Sequence, residues 1–380
     1  MSASRLRAVV IGAGWAGEGH TNALRHCGVE VVAICARQAD VVQAVADRLA
    51  VPEASTDWRK TLARVRPEIV ALATPAALRR EVVEMAAGFG AHIFCDKPLA
   101  TTAEEAKAIF QCVEQAGVKH AYAATHSYDP SVAWTTELLS NNTIGRLQTV
   151  DCLLRFPPSS PSQPWTWADS LAMGGGMLNN GFTHAIAMLE KMIGSQVISV
   201  TGAARTRRRQ QPVVPAVHDF RQRGAHIPTA EEAAQLEWRD CDADETVSAL
   251  MRFGDPTANQ PPIQVYLAAD FNSHISPFNG WYFYGTEGVL KGNGVLSLAL
   301  SQYDSAESAG TPLPTPQRLL ERLPQIGDDV QNKWAALARD FVADIRGEPH
   351  EPYLTFRDGW RYQEAIDAIR AEHGWHELPV

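Results

Sequence analysis

Residues 7–17 read RAVVIGAGWAG, and the rest of the chain is organised by that run. Arg7–Ile11 is an apolar, β-branched stretch of strand length. Gly12, Gly14 and Gly17 follow at GxGxxG spacing, with a helix-forming segment behind them that runs to about His26. A glycine turn between a first strand and a first helix is where a dinucleotide pyrophosphate is held. Gly12 permits the tight turn, Gly14 lets the backbone approach a phosphate, and Gly17 lets helix and strand pack closely. The helix N-terminus adds unpaired N–H groups and a partial positive charge. Ala13, Trp15 and Ala16 complete this candidate cofactor-binding turn. A plain tight turn is the competing reading of the run taken alone.

The segments that follow repeat the strand–helix grammar. Val29–Cys35 is a second buried strand, and Asp40–Ala50 a helix with apolar positions 41, 42, 45, 46 and 49. Ile69–Ala73 is a strand stopped by Thr74-Pro75, then comes a helix over Leu78–Ala87. His92–Cys95 is a strand. Thr102–Ala116 is a helix opened by a Thr102/Glu105 capping box and closed by Gly117. Lys119–Ala123 ends the series. Near-continuous apolar strands separated by helices predict a doubly wound parallel sheet, a Rossmann domain over residues 1–124.

From about residue 124 the pattern changes to alternation. Gln148–Phe156, Thr246–Phe253, Ile263–Phe271, Trp281–Tyr284 and Val295–Leu300 each present unlike faces, as in a large, mostly antiparallel open sheet. Two amphipathic helices follow, one carrying Trp334, Leu337, Phe341 and Ile345, the other Trp360, Ile366 and Ile369. Residues 125–380 are therefore expected to form an α+β domain for substrate binding and oligomerisation, with long loops at 204–245 and 302–328.

A chain of 380 residues suits two domains. Its net charge of −9 argues against a nucleic-acid binder, which needs a broad basic face. The run Arg205, Arg207, Arg208, Arg209 reads as a solvated loop, with an anion site as the lesser alternative. The six cysteines show neither CxxC nor zinc-ligand spacing, so no metal is expected and a reducing cytoplasm is. No apolar run approaches the roughly 18 residues that span a membrane, and no signal peptide is expected.

Two positions bear on the cofactor. NAD-preferring domains usually carry an acid near the end of the second strand, for the ribose 2′-hydroxyl. Here Ala36 and Arg37 stand there, favouring NADP over NAD, because a guanidinium suits a 2′-phosphate; stacking of Arg37 on adenine would be compatible with NAD. Asp96-Lys97-Pro98 lies just past the strand His92–Cys95, at the carboxyl edge where open α/β sheets bind ligands. Lys97 could donate to a substrate oxygen or relay a proton, or be a surface lysine in a turn. Pro98 is a candidate for a cis peptide.

GAGWAG, CDKPLA (95–100) and GGGMLNNGFTH (174–184) together resemble the Gfo/Idh/MocA oxidoreductases, the family of glucose–fructose oxidoreductase and inositol dehydrogenase. Thr74-Pro75, Tyr128-Asp129-Pro130, Ile144-Gly145-Arg146 and Tyr284-Gly285-Thr286-Glu287-Gly288 add to the likeness, which runs from about residue 6 to about 372. The resemblance implies hydride transfer between nicotinamide and a hydroxyl-bearing carbon of a sugar, polyol or related ring. The family's Glu-Lys-Pro lysine carries over to Lys97, with Asp96 for the glutamate, and its Asp-x-x-x-His histidine to His184. Asn180 stands at the aspartate position.

Asn180 cannot titrate, so it is expected to orient a sugar hydroxyl while His184 serves as acid–base and Lys97 polarises the oxygen. The two lie four residues apart, on one helix face. The apolar stripe Leu178, Phe182, Ile186, Leu189, Ile193 occupies the other. Trp165 and Trp167 could stack on a sugar ring or form an apolar plug, and His126 and Tyr128 are weaker candidates for the pocket. Thr74, Pro75 and Asp96 join Lys97 as cofactor neighbours. A homodimer or homotetramer is expected. Transient oxidation with a recycled bound cofactor, or a non-catalytic cofactor-binding regulator, are the competing functions.

Overall fold

The computed structural model describes residues 5–157, 159–217, 220–255, 261–270, 279–293, 297–303, 310–372 and 374–379. Phe271, Val295 and Leu296, which the sequence assigns to strands, and parts of both long loops fall outside these residues.

The chain opens β1 (Arg7–Ile11), α1 (Trp15–His26), β2 (Glu30–Cys35), α2 (Ala39–Leu49), β3 (Glu53–Ser55), α3 (Trp58–Val65), β4 (Ile69–Leu72), α4 (Arg80–Gly88), β5 (His92–Asp96), α5 (Ala103–Ala116) and β6 (His120–Ala123). It continues with α6 (Pro130–Ser140), β7 (Leu147–Arg155), α7 (Thr183–Ile193), β8 (Val197–Arg205), β9 (Gln210–Pro212), α8 (Ala230–Ala233), β10 (Trp238–Asp240), β11 (Thr246–Phe253) and β12 (Ile263–Asp270). The last elements are β13 (Gly280–Gly285), β14 (Gly288–Asn293), β15 (Ser297–Gln302), β16 (Thr311–Leu313), α9 (Gln317–Leu320), α10 (Asp329–Arg346), α11 (Phe356–Ala371) and β17 (His376–Glu377). Two compact units result: Met1–Thr125 with Leu323–Gln363, and His126–Arg322 with Glu364–Val380.

In the first unit six parallel strands run in the order β3-β2-β1-β4-β5-β6. The order reverses beside β1, which creates the crevice at the carboxyl ends of β1 and β4. Strand β3 and helix α3 are additions to the sequence reading. Both are short and largely polar, so neither carries the apolar period that marks an element. The α5 cap is half of the expected box. Thr102 accepts the Glu105 N–H at 3.2 Å, whereas the Glu105 carboxylate turns back to the N–H and hydroxyl of Thr101.

Chain order alone puts residues 323–363 in the second domain; packing puts them in the first. Gly19 leaves room for the Trp334 ring of α10, which also meets Trp15 at 4.9 Å. Phe341 meets Phe94 of β5 at 5.8 Å, and the Tyr122 N–H of β6 donates to the Leu354 carbonyl at 2.8 Å. Between Phe94 and Trp334 lies His20, fully buried, with no hydrogen bond at either ring nitrogen among the described residues. Burial lowers its pKa to about 4, with Asp96 opposing and Arg79 assisting, so it is neutral at pH 7.

The second unit holds a nine-stranded sheet in the order β16-β15-β14-β13-β7-β12-β11-β8-β17. It is antiparallel except for β7 against β12. Along β11, Val247, Ala249, Met251 and Phe253 are buried while Ser248 and Leu250 are exposed, the period-two signature of a sheet with one covered face. Strand β8, which follows α7 directly, is a further addition to the sequence reading. Three of the four arginines of the basic run meet acids: Arg205 pairs with Glu372, Arg207 with Asp270 and Arg208 with Glu245.

Candidate functional site

In the first unit the candidate groups gather at the carboxyl edge of the parallel sheet. Gly12 has φ of 116°, a region open mainly to glycine, and its N–H donates to the Cys35 carbonyl at 2.8 Å. A Cβ there would lie 2.6 Å from the Ala73 carbonyl oxygen, and one on Gly17 would run into the carbonyl oxygen of Gly12. Gly14 is the exposed N-cap of α1, and no side chain caps that helix. A helix N-terminus without a side-chain cap suits an external acceptor such as a pyrophosphate. At the end of β4 the Thr74 hydroxyl is buried with no partner among the described residues, a second polar group awaiting a ligand. The turn and its neighbours thus fit a dinucleotide. Ala36 is half-buried at the end of β2, and Arg37 beside it is exposed.

Lys97 follows β5, half-buried, and its peptide bond to Pro98 is cis. The Asp96 carboxylate accepts the Lys97 N–H at 2.9 Å. Burial pushes the Lys97 ammonium below its ordinary pKa, with Asp96 opposing and Arg79 assisting. A lysine held this way is readier to exchange a proton near neutrality than an exposed one.

In the second unit Gly174–Gly176 lead into a π-helical turn, Leu178–Phe182, and then α7. The apolar spacing of this stretch predicts a plain α-helix, and the structure differs. The wider turn holds Asn180, whose Nδ2 donates to the Gly176 carbonyl at 2.8 Å. The turn is fixed from below by Asp244. Its carboxylate accepts the Leu178 N–H at 2.7 Å and two N–H groups of Arg370 at 3.0 and 2.7 Å. A Cβ on Gly176, at φ of 97°, would lie 2.7 Å from that same carboxylate, so glycine is required for the acid to come so close.

His184 sits in the first turn of α7, half-buried, while Leu178, Phe182, Ile186 and Leu189 are buried. The His126 ring lies 4.2 Å from the His184 ring at 73°, so two sequence candidates far apart in the chain meet. Tyr128 is half-buried, its ring 5.1 Å from the Lys191 ammonium. Trp165 gives one face to the Arg239 guanidinium at 5.2 Å and its Nε1–H to the Asp240 carbonyl. Trp167, half-buried, opens a short turn capped by Thr166 and Asp169. Asp244 and Arg79 escaped the sequence reading. Asp244 stands more than sixty residues from the turn it anchors, and Arg79 reads as an ordinary exposed helix residue. Among the described residues no group of three His, Cys, Asp or Glu side chains could hold a metal, and no helix is long and apolar enough to cross a membrane.

Residues 6–124 match the model of an oxidoreductase family with an NAD-binding Rossmann fold, and residues 132–291 match the Gfo/Idh/MocA C-terminal domain. The chain belongs to the Gfo/Idh/MocA family. Levoglucosan dehydrogenase of Pseudarthrobacter phenanthrenivorans is 25% identical over 350 residues, 88% of this chain and 86% of that protein. An NADP(+) D-xylose 1-dehydrogenase of Haloferax volcanii is 33% identical over 112 residues, 30% of this chain and 34% of that one. A solved levoglucosan dehydrogenase complexed with NADH and L-sorbose shares the fold, with TM-score 0.80, 24% identity and 99% of each chain covered. The double match also accounts for the change of grammar near residue 124, where the first family segment ends.

Proposed function

We propose that this chain is an NAD(P)-dependent dehydrogenase acting on a CH–OH carbon of a sugar, polyol or related ring. The observation that carries the reading is the glycine turn and Lys97 together at the carboxyl edge of one parallel sheet, in a chain that belongs to this oxidoreductase family. The relatives named above, dehydrogenases of levoglucosan and D-xylose, support the substrate class. The nicotinamide, when bound, supplies the hydride acceptor. The protein's own residues bind the dinucleotide at Gly12–Gly17 and manage the hydroxyl proton. Lys97 donates to the substrate oxygen and stabilises charge on it as the proton leaves. His184 accepts that proton, and Asn180, fixed on Gly176, orients a neighbouring hydroxyl through its carbonyl oxygen. His126, Tyr128, Trp165 and Trp167 are proposed substrate neighbours, and Ala36, Arg37, Thr74, Pro75 and Asp96 cofactor neighbours.

NADP is the proposed cofactor. No acid stands at Ala36-Arg37 to repel a 2′-phosphate, and the exposed Arg37 guanidinium can bind one in bidentate fashion. Arg37→Asp is expected to weaken NADP about 10–100-fold while sparing NAD, since charged hydrogen bonds contribute about 1.5–3 kcal/mol. Titration calorimetry with both dinucleotides checks this. Tighter binding of NAD than NADP by the unaltered protein overturns the preference, and binding of neither overturns the functional reading.

The proposed assembly is a homodimer or homotetramer through the uncovered face of the large sheet. Leu250 and Tyr266 are 45% and 39% exposed and lie directly opposite each other across β11 and β12. Two adjacent large side chains in water favour burial against a second copy. Sedimentation is expected to return a dimer or larger, and Leu250→Lys to weaken it; a monomer at micromolar concentration contradicts this. All six cysteines are free, which supports a reducing, cytoplasmic setting.

A further inference from the structure

Arg79 is 2% exposed and stands immediately before α4. Among the described residues its guanidinium makes no ion pair. Nε and Nη2 donate to the Thr74 carbonyl at 3.1 and 2.6 Å, Nη1 donates to the carbonyls of Asp96 and Pro98, and Nη2 reaches that of Lys97 at 3.4 Å. One rigid fork therefore ties the segment after β4 to the segment after β5. These two segments carry Thr74-Pro75 and Asp96-Lys97-Pro98, which the proposed function uses. A lysine in its place could not do so, because an ammonium has no planar array of donors that reaches several fixed carbonyls at once.

The charge matters as well as the geometry. Asp96, at the end of β5, and Arg79 both act on Lys97, and the same two charges act on His20 from α1, Cys95 from β5 and Tyr122 from β6. Burial lowers His20 to about 4, raises Cys95 to about 11 and raises Tyr122 further still, so these three are neutral at pH 7. Asp96 and Arg79 are then the charges that act on Lys97 from this corner, with opposite signs. Neutral carbonyls solvate the Arg79 cation without cancelling its charge.

We propose that Arg79 is a positioning residue: it joins the two strand-end segments that flank the nicotinamide-binding edge and sets the positive charge that Lys97 meets. The inference rests on the proposed role of Lys97, yet its electrostatic half can be read without turnover. Removing the cation while keeping a polar side chain relieves the like-charge repulsion, so the lysine holds its proton to higher pH. Keeping the cation but losing the fork leaves the titration alone and misplaces the loop.

The test is competitive acetylation of the full-length protein with trace acetic anhydride from pH 6 to 11, reading the Lys97 peptide by mass spectrometry. Arg79→Gln is expected to lower Lys97 reactivity near pH 8 several-fold, because less of the amine is then unprotonated. Arg79→Lys is expected to keep the unaltered titration curve and to lose at least tenfold in kcat for the reduced-cofactor signal. Coincident Lys97 curves for Arg79→Gln and the parent protein overturn the electrostatic half. Should Arg79→Gln not fold, an Arg79→Lys curve displaced to higher pH overturns it equally. Parent-like kcat in Arg79→Lys overturns the positioning half. If the parent protein turns over no sugar at all, the functional reading fails while the acetylation result still decides the charge.

Discussion

His184→Ala is expected to slow the single-turnover oxidation of a sugar by about two to four orders of magnitude, the usual scale for a general acid–base. Leu178, Phe182, Ile186 and Leu189 bury one side, and His184 is left half-buried in the first turn of α7. Asn180 has an amide that cannot take a proton and already donates to Gly176. An imidazole is then the titratable group that this turn presents. Alanine is the best helix former, so the helix itself should survive the change. Dinucleotide affinity, measured alongside, is expected to stay within a few-fold of the parent. A single-turnover rate within a few-fold of the parent assigns the proton to some other group.

The second large effect is a contrast between two glycines of the same turn. In Gly12→Ala the added Cβ meets the Ala73 carbonyl at 2.6 Å, and the residue is held at φ of 116°. A strained backbone costs about 1–3 kcal/mol, and overpacking against an immovable carbonyl a further ~1–3 kcal/mol. This variant should lose thermal stability and dinucleotide binding together. Gly14, at φ of −86° and exposed, has a backbone conformation open to any residue. Gly14→Ala should therefore keep its melting temperature yet bind dinucleotide about 10–100-fold more weakly, because the methyl occupies the approach of the pyrophosphate. Scanning calorimetry and binding titrations separate the two. Unchanged affinity in Gly14→Ala would place the pyrophosphate elsewhere.

The parts of this molecule that were legible in its sequence are those whose causes are local. A strand, a glycine turn and a helix N-terminus within residues 7–17 specify one another. Alternation along β11 shows a two-faced strand without knowledge of its neighbours. What stayed hidden depends on partners far along the chain. The acid that fixes the Leu178 N–H is Asp244, and the reason for a third glycine at 176 is the closeness of that same carboxylate. Trp334 and Phe341 read correctly as core residues, but nothing in their spacing shows that the core is that of β5 and α1. Arg79 looks like helix surface until the carbonyls of Thr74, Asp96 and Pro98 converge on it. The π turn is likewise invisible in sequence, since Leu178–Phe182 carries the same apolar period as the α-helix it precedes.

The most direct measurement follows the hydrogen itself. The protein would be incubated with oxidised NADP or NAD and a panel of aldoses, anhydrosugars and polyols deuterated at their carbons, and the recovered dinucleotide examined by proton NMR. The expected result is a single deuterium at nicotinamide C4 for at least one sugar, lost in the His184→Ala variant. A protein that binds the dinucleotide but returns it without deuterium from every member of the panel would contradict the assignment as a sugar dehydrogenase.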